Sequence, residues 1–381
     1  MRSVEAVQAA AAVMHAEQLS RRLWEKVFTE DSSRFLDYYD EEIAAGNRIY
    51  LDLEQEEAVS MLHLNPNRLR VGDATVDVCY IVAVATVEEY RHQGRMRRLL
   101  YQALSDLRKE GSPFVYLMPA SEKIYQPFDF RTVAVQNWFS VEKQAPENTQ
   151  KLRCVPLDTK DDQNLSKLAA FAEKVLSGCC MVSTRRDLSY YRRICKEQRA
   201  MNGGIIQFFC GEVLCGCCFS GEEDGIELWE LLLADGCRNE EAVTALQAYF
   251  QQPFLLRGTM PGRSTEGISR SETGARPMTM VRMASLEAFA GCLRSICGRV
   301  EFMIRIRDEI LPENTGIWSF CIDQTSGSAK KRTADEIPPQ ESLETVDIGD
   351  LTECFFGRRH ILGVPDEQLK LLTPVYLNEL V

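Results

Sequence analysis

Long apolar runs are missing from this 381-residue sequence. The longest runs have the length of a strand, far short of the roughly 20 residues that a membrane-spanning helix needs. The alanine-rich stretch from Val4 to His15 is interrupted by Glu5 and Gln8 and has no apolar core before a cleavage site, so it predicts a helix and not a secretory signal. We therefore expect a cytoplasmic protein that does not enter a membrane.

Positive charge is also scarce. The chain has 44 Lys and Arg residues against 56 Asp and Glu residues, which gives a net charge of −12. This balance argues against general binding to nucleic acids or anionic membranes, since both rely on basic surfaces. An acidic surface can attract cationic substrates, and the alternative is that it serves solubility alone.

The two Cys-x-x-Cys pairs of a structural zinc site are absent from the densest cysteine group, Cys210 with Cys215-Gly216-Cys217-Cys218. Residues 205–220 alternate in the manner of a hairpin that turns near Gly211. We therefore expect no metal, and we predict that the fourteen cysteines are mostly small buried hydrophobes in a reducing compartment. Metal binding is the alternative.

The most informative segment is Arg91-His92-Gln93-Gly94-Arg95-Met96, because a strand and a helix flank it. Before it, residues 79–87 are apolar and β-branched, which predicts a strand buried on both faces. After it, apolar residues recur on one stripe of a helix that Gly111 ends: Met96, Leu99, Leu100, Ala103, Leu104 and Leu107. A loop in this position directs backbone N–H groups and the positive end of the helix dipole at one point, which predicts an anion site.

Four arginines support this prediction. Arg91, Arg95, Arg97 and Arg98 lie within eight residues that contain no acid, a pattern that suits a polyanionic phosphate. A solvated helix face is the alternative explanation of such a cluster.

A second strand and a turn with a tyrosine follow. Residues 114–118 predict a strand, Pro119 ends it, and Ser121 is placed to cap a short helix that carries Glu122 and Tyr125. The phenol of Tyr125 has an ordinary pKa of about 10, so it is protonated at neutral pH and can donate a proton. The alternative is that Tyr125 belongs to an aromatic core.

The run from Val84 to Met96, together with Ser121-Glu122-Lys123-Ile124-Tyr125-Gln126-Pro127-Phe128-Asp129-Phe130, resembles the coenzyme A core of the GNAT N-acetyltransferases. More narrowly, nearly the whole chain is similar to the Eis-like acyltransferases, the enhanced intracellular survival proteins. The resemblance implies an α+β fold class: tandem GNAT acyltransferase folds, with mixed central sheets flanked by helices, plus a C-terminal sterol carrier protein-like domain. Two residues depart from the family pattern. Met96 stands where Gly or Ala is usual and would crowd the approach of the backbone to pyrophosphate. Asp129 is the middle residue of Phe128-Asp129-Phe130, where Phe-Gly-Phe is usual.

We predict three domains from the resemblance and the pattern along the chain. Residues 1–150 form an N-terminal GNAT domain that binds acetyl-CoA and is catalytic, with helices over 17–28 and 34–44 and a hairpin of 48–53 and 58–64. Residues 151–275 form a degenerate second copy, with strands at 152–157 and 226–233 and helices through 165–176 and 240–250. Its loop at 234–241 holds three acids, which would repel pyrophosphate, so we expect this copy to be catalytically silent.

The third domain, residues 276–381, is expected to resemble a sterol carrier protein and to end in a tail that reaches the active site. A polar linker or mobile loop is predicted at 258–277, where Gly, Ser and Arg are frequent. After it we predict a helix stripe of Leu286, Ala290, Leu293 and Ile296, strands at 300–306 and 317–322, and a helix at 350–356. Lipid carriage is the weaker interpretation, because family members use this domain structurally.

The predicted site combines binding and catalytic residues. The backbone of the strand end at Val84, Ala85 and Thr86 is the candidate for holding the thioester oxygen. Ser121 and Glu122 match coenzyme A contacts of the family, although a Ser followed by Glu is also ordinary helix-start chemistry. The cofactor-binding residues are expected to be Val84, Ala85, Thr86, Arg91, His92, Gln93, Gly94, Arg95, Met96, Arg97, Ser121 and Glu122.

The catalytic base is harder to find, because the chain has only four histidines and His63 lies among alternating apolar residues, as a packed residue does. The resemblance implies two catalytic groups: Tyr125 as general acid and the C-terminal carboxylate of Val381 as general base. The segment 371–381 is apolar to its end, which favours docking, and Glu379 adds negative charge that draws an ammonium group. Trp24 and Phe28 are candidates for a substrate pocket, or else for the core.

These features predict an acetyl-CoA-dependent N-acetyltransferase that acts by direct attack of a primary amine in a ternary complex. The resemblance suggests three kinds of acceptor: polyamines, aminoglycoside-like molecules, and protein lysines or N-termini. It also implies a homo-oligomer, specifically a hexamer. The alternative is a non-catalytic lipid-binding or scaffolding protein with degenerate acyltransferase domains.

Overall fold

The computed structural model describes residues 4–143, 151–222, 225–268, 270–336 and 343–377. The first part contains the predicted helices, hairpin and strand–loop–helix unit. Helix α3 is amphipathic and buries the predicted stripe, and the chain leaves it through Gly111 at a φ of 74°. The elements are α1 (Val4–Val27), α2 (Ser33–Glu42), β1 (Arg48–Glu54), β2 (Glu57–Val71), β3 (Ala74–Thr86), α3 (Arg95–Lys109), β4 (Phe114–Leu117), α4 (Glu122–Tyr125) and β5 (Arg131–Val141).

The second part repeats the order of a meander, a strand, a helix and a parallel strand. Asp161 and Asp187 cap its first two helices through their side chains. The predicted hairpin is confirmed, and it turns at Gly211 with a φ of 58°. The elements are β6 (Arg153–Pro156), α5 (Asp162–Cys179), β7 (Val182–Thr184), α6 (Leu188–Ala200), β8 (Gly204–Cys210), β9 (Val213–Gly221), β10 (Ile226–Leu233), α7 (Asn239–Phe250) and β11 (Phe254–Thr259).

The third part corrects two predictions. The helix expected through Ile296 ends at Ala290, where Gly291 begins a turn into a short strand. The linker expected at 258–277 is wrong for its last residues, which form a strand from Glu272 onward. The elements are β12 (Glu272–Met283), α8 (Leu286–Ala290), β13 (Arg294–Ser295), β14 (Val300–Arg307), β15 (Gly316–Ile322), β16 (Gly327–Arg332), β17 (Thr345–Asp347), α9 (Ile348–Phe355), β18 (Leu369–Lys370) and β19 (Val375–Tyr376).

One sheet joins the first two parts, with the strand order β19-β7-β2-β3-β4-β12-β5-β11-β10-β9-β8-β6. Strands β12 and β5 pair at its centre, so β12 borders β4 and β5 borders β11. Strand β4 therefore borders a strand of the third part, and β11, the last strand of the second part, borders a strand of the first. Both neighbours lie far away in the sequence. The boundary predicted at residue 275/276 falls inside β12, and the division into three domains stays a prediction.

The third part adds a four-stranded sheet, β16-β15-β14-β17, with α8 and α9 against it. Its interior is filled by its own large side chains, among them Phe289, Trp318, Phe320 and Phe355. All fourteen cysteines are free thiols, and eight of them are buried. Within the described residues, no helix is both long and apolar enough to cross a bilayer.

Candidate active site

A gap opens between two parallel strands of the first copy, the unit of residues 1–150 that the second copy, 151–275, repeats. Strands β3 and β4 pair from Cys79 with Val115 to Ile81 with Leu117, and there the pairing stops. Strand β4 ends at Leu117, whereas β3 continues to Thr86. The backbone of Val84, Ala85 and Thr86 therefore borders an opening in the sheet, where strand N–H groups can meet a ligand.

A bulge lies in β3 beside this gap. His63 pairs with Val82 and Met61 pairs with Ala85, so one residue of β2 faces Ala83 and Val84 together. Ala83 has a φ of 53°, an unfavourable conformation for a residue with a Cβ atom. A bulge leaves its extra residue outside the strand ladder, which frees backbone hydrogen-bonding groups at the edge of the gap.

The predicted anion loop follows directly. Gly94 is the N-cap of α3 with a φ of 73°, and no side chain caps the helix. A Cβ at this position would meet nothing within 4 Å, so conformation and not space requires the glycine. The exposed residues Arg91, His92 and Gln93 precede it. The first turn of α3 therefore presents its N–H groups and dipole to solvent, as an anion site requires.

The arginines of this loop divide into two pairs. Arg95 donates to Asp52 at 3.1 Å and to Glu54 at 2.6 Å, and Arg98 donates to Asp52 at 2.6 Å. These ion pairs fasten the loop to β1, so the two guanidinium groups are already neutralised. Among the described residues, the Arg91 side chain donates only to the carbonyl of Thr86, at 3.1 Å. Arg97 is exposed, and none of the described residues forms an ion pair with it.

Met96 does not occupy the loop. Its partly buried side chain packs against the core between α3 and the sheet. The crowding expected from Met96 is therefore not seen in its packing. Its backbone N–H lies in the first turn of α3, where a side chain of any size leaves that group unchanged.

The turn after β4 carries Tyr125 at the end of α4. The side chain is buried, and its ring meets that of Phe130 edge-on at 6.0 Å. Burial raises the pKa of Tyr125 to about 12. The phenol therefore stays protonated across the neutral range and can act as a proton donor.

Ser121 and Glu122 precede this tyrosine. Ser121 occupies the N-cap position of α4, but its side chain makes no capping hydrogen bond and is exposed. The Glu122 carboxylate accepts a hydrogen bond from the hydroxyl of Thr132 on β5. Of the two predicted coenzyme A contacts, Ser121 is therefore the freer to bind a ligand.

Trp24 packs on the other side of the bulge, in a cluster with Ala83 and Ala85. Its ring lies 4.6 Å from that of Tyr39 and 5.7 Å from that of Phe28. Trp24 is buried, whereas Phe28 is only partly so. The pair therefore supports the strand end from the face opposite α3.

His63 is a packed residue, as its surroundings in the sequence predict. Its Nδ1 lies 3.0 Å from the Tyr39 hydroxyl, and its Nε2 lies 2.5 Å from the Ser20 hydroxyl. The ring is buried, and this burial lowers the pKa of His63 to about 4. With both nitrogens occupied, it is poorly placed to act as a base.

This histidine predicts an acid-sensitive fold. Because the pKa of His63 falls on folding from an ordinary 6.5 to about 4, the unfolded chain binds the extra proton between these values. Stability is therefore unaffected above pH 6.5 and falls as the pH drops towards 4. We expect the pH 5 and pH 7 free energies of unfolding in urea to differ by about 2 kcal/mol more in the wild type than in His63→Asn. Equal pH dependence in the two proteins would contradict this assignment.

The C-terminal tail approaches the same region. The carbonyl of Leu377 accepts a hydrogen bond from Thr279 at 3.3 Å. The next residue of β12, Met280, pairs with Leu117 at the end of β4, where the gap begins. A cavity of about 310 Å³ lies between the tail, β5 and the segment after β11. Val381 and Glu379 lie outside the described residues.

The second copy has the same elements in a closed form. Its bulge residue is Glu230, with a φ of 58°, between the pairs Trp229 with Phe219 and Leu232 with Cys217. Strands β10 and β11, however, stay paired past the bulge, as far as Leu231 with Thr259. In the first copy the pairing stops two residues before Ala83, so only that copy has the gap.

The N-terminal end of α7, the helix after β10, is also closed, because side chains of this chain bind there. Glu241 accepts a hydrogen bond from the N–H of Arg238, which closes a capping box at the start of α7. Arg263 donates to the carbonyls of Leu233 and Cys237 and to Asp235. The segment 260–271 after β11 contains no tyrosine. This copy therefore lacks the open helix end and the phenol of the first copy.

Sequence reasoning missed the central strands and the bulge at Ala83. One available signal was the dipeptide Met-Pro, which follows both β4, at Met118-Pro119, and β11, at Met260-Pro261. Aligning the copies on this dipeptide would have placed strands 114–117 and 254–259 in equivalent positions. Nothing in the sequence around Ala83 signals a bulge.

In comparisons with known proteins, two separate parts of the chain match two different families. Residues 15–133 match the family model of the acetyltransferase (GNAT) domain, and residues 286–362 match that of the sterol carrier protein domain. A search of curated proteins finds no match. Three solved structures of similar fold share only 14–17% identity with this chain, so they speak for the fold alone.

Three solved structures illustrate the likeness. A protein of unknown function from Enterococcus faecalis V583, described as a probable N-acyltransferase, has a TM-score of 0.70 at 17% identity, covering 90% of this chain and 88% of its own. A GCN5-related N-acetyltransferase from Anabaena variabilis has a TM-score of 0.65 at 14% identity, covering 93% of this chain and 88% of its own. Eis1 from Mycobacterium abscessus has a TM-score of 0.59 at 16% identity, covering 86% of this chain and 87% of its own. The chain thus carries an acetyltransferase (GNAT) domain over residues 15–133 and a sterol carrier protein domain over residues 286–362, and its fold is similar to that of Eis1.

Proposed function

We propose that this chain is an acetyl-CoA-dependent N-acetyltransferase that transfers the acetyl group to a primary amine by direct attack in a ternary complex. The observation that carries the proposal is the contrast between the copies. In the first, the strands part beside a bulge and the helix end is open, whereas in the second both are closed. Residues 1–150 would be the catalytic domain and 151–275 a silent one.

The residues of the first copy suit the two ends of acetyl-CoA. The N–H groups at Gly94, Arg95 and Met96 would hold the pyrophosphate, with Arg91 and Arg97 adding positive charge. Ser121 would add a hydroxyl contact. The strand end at Val84–Thr86 would place its N–H groups toward the thioester oxygen, and the bulge frees groups there.

In the reaction, the nitrogen of the neutral amine attacks the thioester carbonyl carbon, and the carbon–sulfur bond breaks. Backbone N–H groups of β3 stabilise the negative charge that develops on the oxygen. Tyr125 gives its phenolic proton to the departing thiolate sulfur. The proton lost by the nitrogen goes to a base, for which we propose the carboxylate of Val381.

The C-terminal tail, as far as the structure describes it, supports the choice of the Val381 carboxylate as base. Residues 372, 375, 376 and 377 are buried, and the carbonyl of Leu377 bonds to the strand beside the gap. Four further residues span at most about 14 Å when extended. A terminal carboxylate has a low ordinary pKa, roughly 3.3–3.7, so it would act after burial or through a water molecule.

The acceptor and the assembly follow from the resemblance. We propose a cationic acceptor, such as an aminoglycoside or a polyamine, or else a protein lysine or N-terminus, because the net charge of −12 attracts cations. We also propose a cytoplasmic homo-oligomer, with a hexamer as the form that the resemblance implies. A lipid-binding role has no supporting observation, since side chains fill the interior of the described third part.

Two glycine variants test the proposed acetyl-CoA site. Gly94→Asp places a negative charge at the loop of the first copy, and Gly236→Asp does so at the matching loop of the second, where φ is 86°. Asp tolerates a positive φ better than most residues, so both proteins should fold. We expect the dissociation constant for acetyl-CoA, measured by calorimetry, to rise at least tenfold in Gly94→Asp and to stay within twofold in Gly236→Asp.

Thiol release from acetyl-CoA with a panel of amines tests the activity itself. We expect release with at least one primary amine and loss of it in Gly94→Asp. Absence of acetyl-CoA binding at millimolar concentration, or equal effects of the two variants, would reject the proposed function.

A further inference from the structure

Tyr376 connects the C-terminal tail to the second copy. Strand β19 pairs in parallel with β7, with Tyr376 beside Ser183. The side chain of Tyr376 packs in the core of the second copy, whereas its neighbours Val375 and Leu377 pack in a core that the third part shares with the sheet of the first copy. The tail is therefore clamped between two cores by alternate side chains, as the pleat of a strand allows.

A buried ion pair lies close to this pairing in the chain, because Arg186 follows Ser183, the partner of Tyr376, by three residues. Arg186 donates to Glu230 at 2.9 Å, and neither side chain is exposed. The Arg186 guanidinium also lies over the ring of Tyr190, 4.2 Å from its centroid. A buried pair of this kind is costly to desolvate unless its geometry is fixed by surrounding groups.

The electrostatic surroundings of the phenol agree with this placement. The pKa of Tyr376 is raised well above its ordinary value, first by burial and then by the Glu230 carboxylate, while Arg186 opposes the rise. Its hydroxyl has no hydrogen-bond partner among the described residues. Packing of the ring, and not a bond from its hydroxyl, is therefore what holds Tyr376.

Glu230 stands at a position that has a direct counterpart in the first copy. Glu230 is the bulge residue of β10 and corresponds to Ala83, the bulge residue beside the gap of the first copy. In the first copy a small residue stands at this point of the strand. In the second copy the same point carries a carboxylate held by Arg186, next to a tyrosine from the tail.

We infer that the second copy has become the receptor for the C-terminal tail: Tyr376 seats in its core, next to the strand that leads to Arg186, and so holds Leu377 against β12 beside the gap of the first copy. Tyr376 is thus a positioning residue. Hydrogen bonds on either side fix the direction of the tail, from Met181 N–H to the carbonyl of Pro374 at 2.8 Å and from Thr279 to the carbonyl of Leu377. This inference rests on the proposed function, because it assigns a task to the end of the tail.

Tyr376→Ala is the test variant, and Tyr376→Phe is its conservative partner. Tyr249→Ala is the matched control, since Tyr249 lies in the same copy but is 42% exposed. For Tyr376→Ala we expect kcat to fall at least tenfold, the dissociation constant for acetyl-CoA to stay within twofold, and a carboxypeptidase to release the last residues at least tenfold faster. Tyr376→Phe and Tyr249→Ala should match the wild type in all three.

Wild-type rates of turnover and terminal release in Tyr376→Ala would overturn the inference, and so would a parallel loss of acetyl-CoA binding, which indicates general damage. If Tyr376→Ala does not fold by circular dichroism, Tyr376→Leu keeps apolar volume and should show the same split between kcat and binding. The release experiment needs no activity. If the wild type acetylates no amine, the proposed function fails, while the release rates still decide whether Tyr376 anchors the tail.

Discussion

Replacement of Tyr125 by Phe is expected to lower kcat about a hundredfold while leaving the dissociation constant for acetyl-CoA within twofold of the wild type. The variant removes one oxygen from a buried ring, so the packing against Phe130 remains. It also removes the only proton that this side chain can give to the thiolate. Initial rates of thiol release, with calorimetric titration of acetyl-CoA, measure both effects.

Tyr101→Phe is the matched control for this prediction. Tyr101 lies on α3, is 41% exposed, and its ring meets that of Phe128 edge-on. Loss of its hydroxyl should leave kcat unchanged. The pKa of about 12 adds a further expectation, since Tyr125 stays protonated below about pH 11 and cannot cause a fall in kcat between pH 7 and 10. A Tyr125→Phe protein that retains half of the wild-type kcat would remove Tyr125 from the mechanism.

The largest effect on stability is expected at Arg282 of β12. Its guanidinium donates to Asp308 at 2.6 Å and to the carbonyls of Phe128 and Met283 at 2.8 Å, and its side chain is fully buried. Arg282→Met leaves the Asp308 carboxylate buried without its cation. We expect the free energy of unfolding in urea to fall by about 3–5 kcal/mol. The bond to Phe128 also ties the Tyr125 turn to the third part, so activity should fall with stability.

Two further proteins separate the causes of this loss. Arg359→Met breaks the exposed pair with Asp350 and should cost less than about 1 kcal/mol. The double variant Arg282→Met with Asp308→Leu removes both charges and should be more stable than Arg282→Met alone. A loss below about 1.5 kcal/mol in Arg282→Met would show that the buried pair contributes little.

Local features of this site could be predicted from the sequence because neighbours in the chain create them. The stripe from Leu99 to Leu107 fixes one face of α3, and Gly94 fixes its start. The strand before the loop is apolar enough to be buried. A loop between these two elements follows from their order alone, so the open helix end and the resemblance to GNAT proteins were both readable, while anion binding there stays a prediction.

Long-range features were not readable. The insertion of β12 between β4 and β5 depends on pairing between residues more than 130 positions apart, such as Glu272 with Ser140. The acids that neutralise Arg95 and Arg98 come from β1, so an acid-free sequence window did not mean an acid-free loop. Met96 was expected to obstruct the loop, but its place on the apolar stripe turns its side chain to the core.

Hydrogen exchange with and without acetyl-CoA tests the central claim most directly, because it reports both copies in one experiment. The account predicts that acetyl-CoA slows amide exchange in peptides covering residues 82–98 and 117–125 and leaves residues 230–241 unchanged. Protection of residues 230–241, or no protection in the first copy, would contradict it.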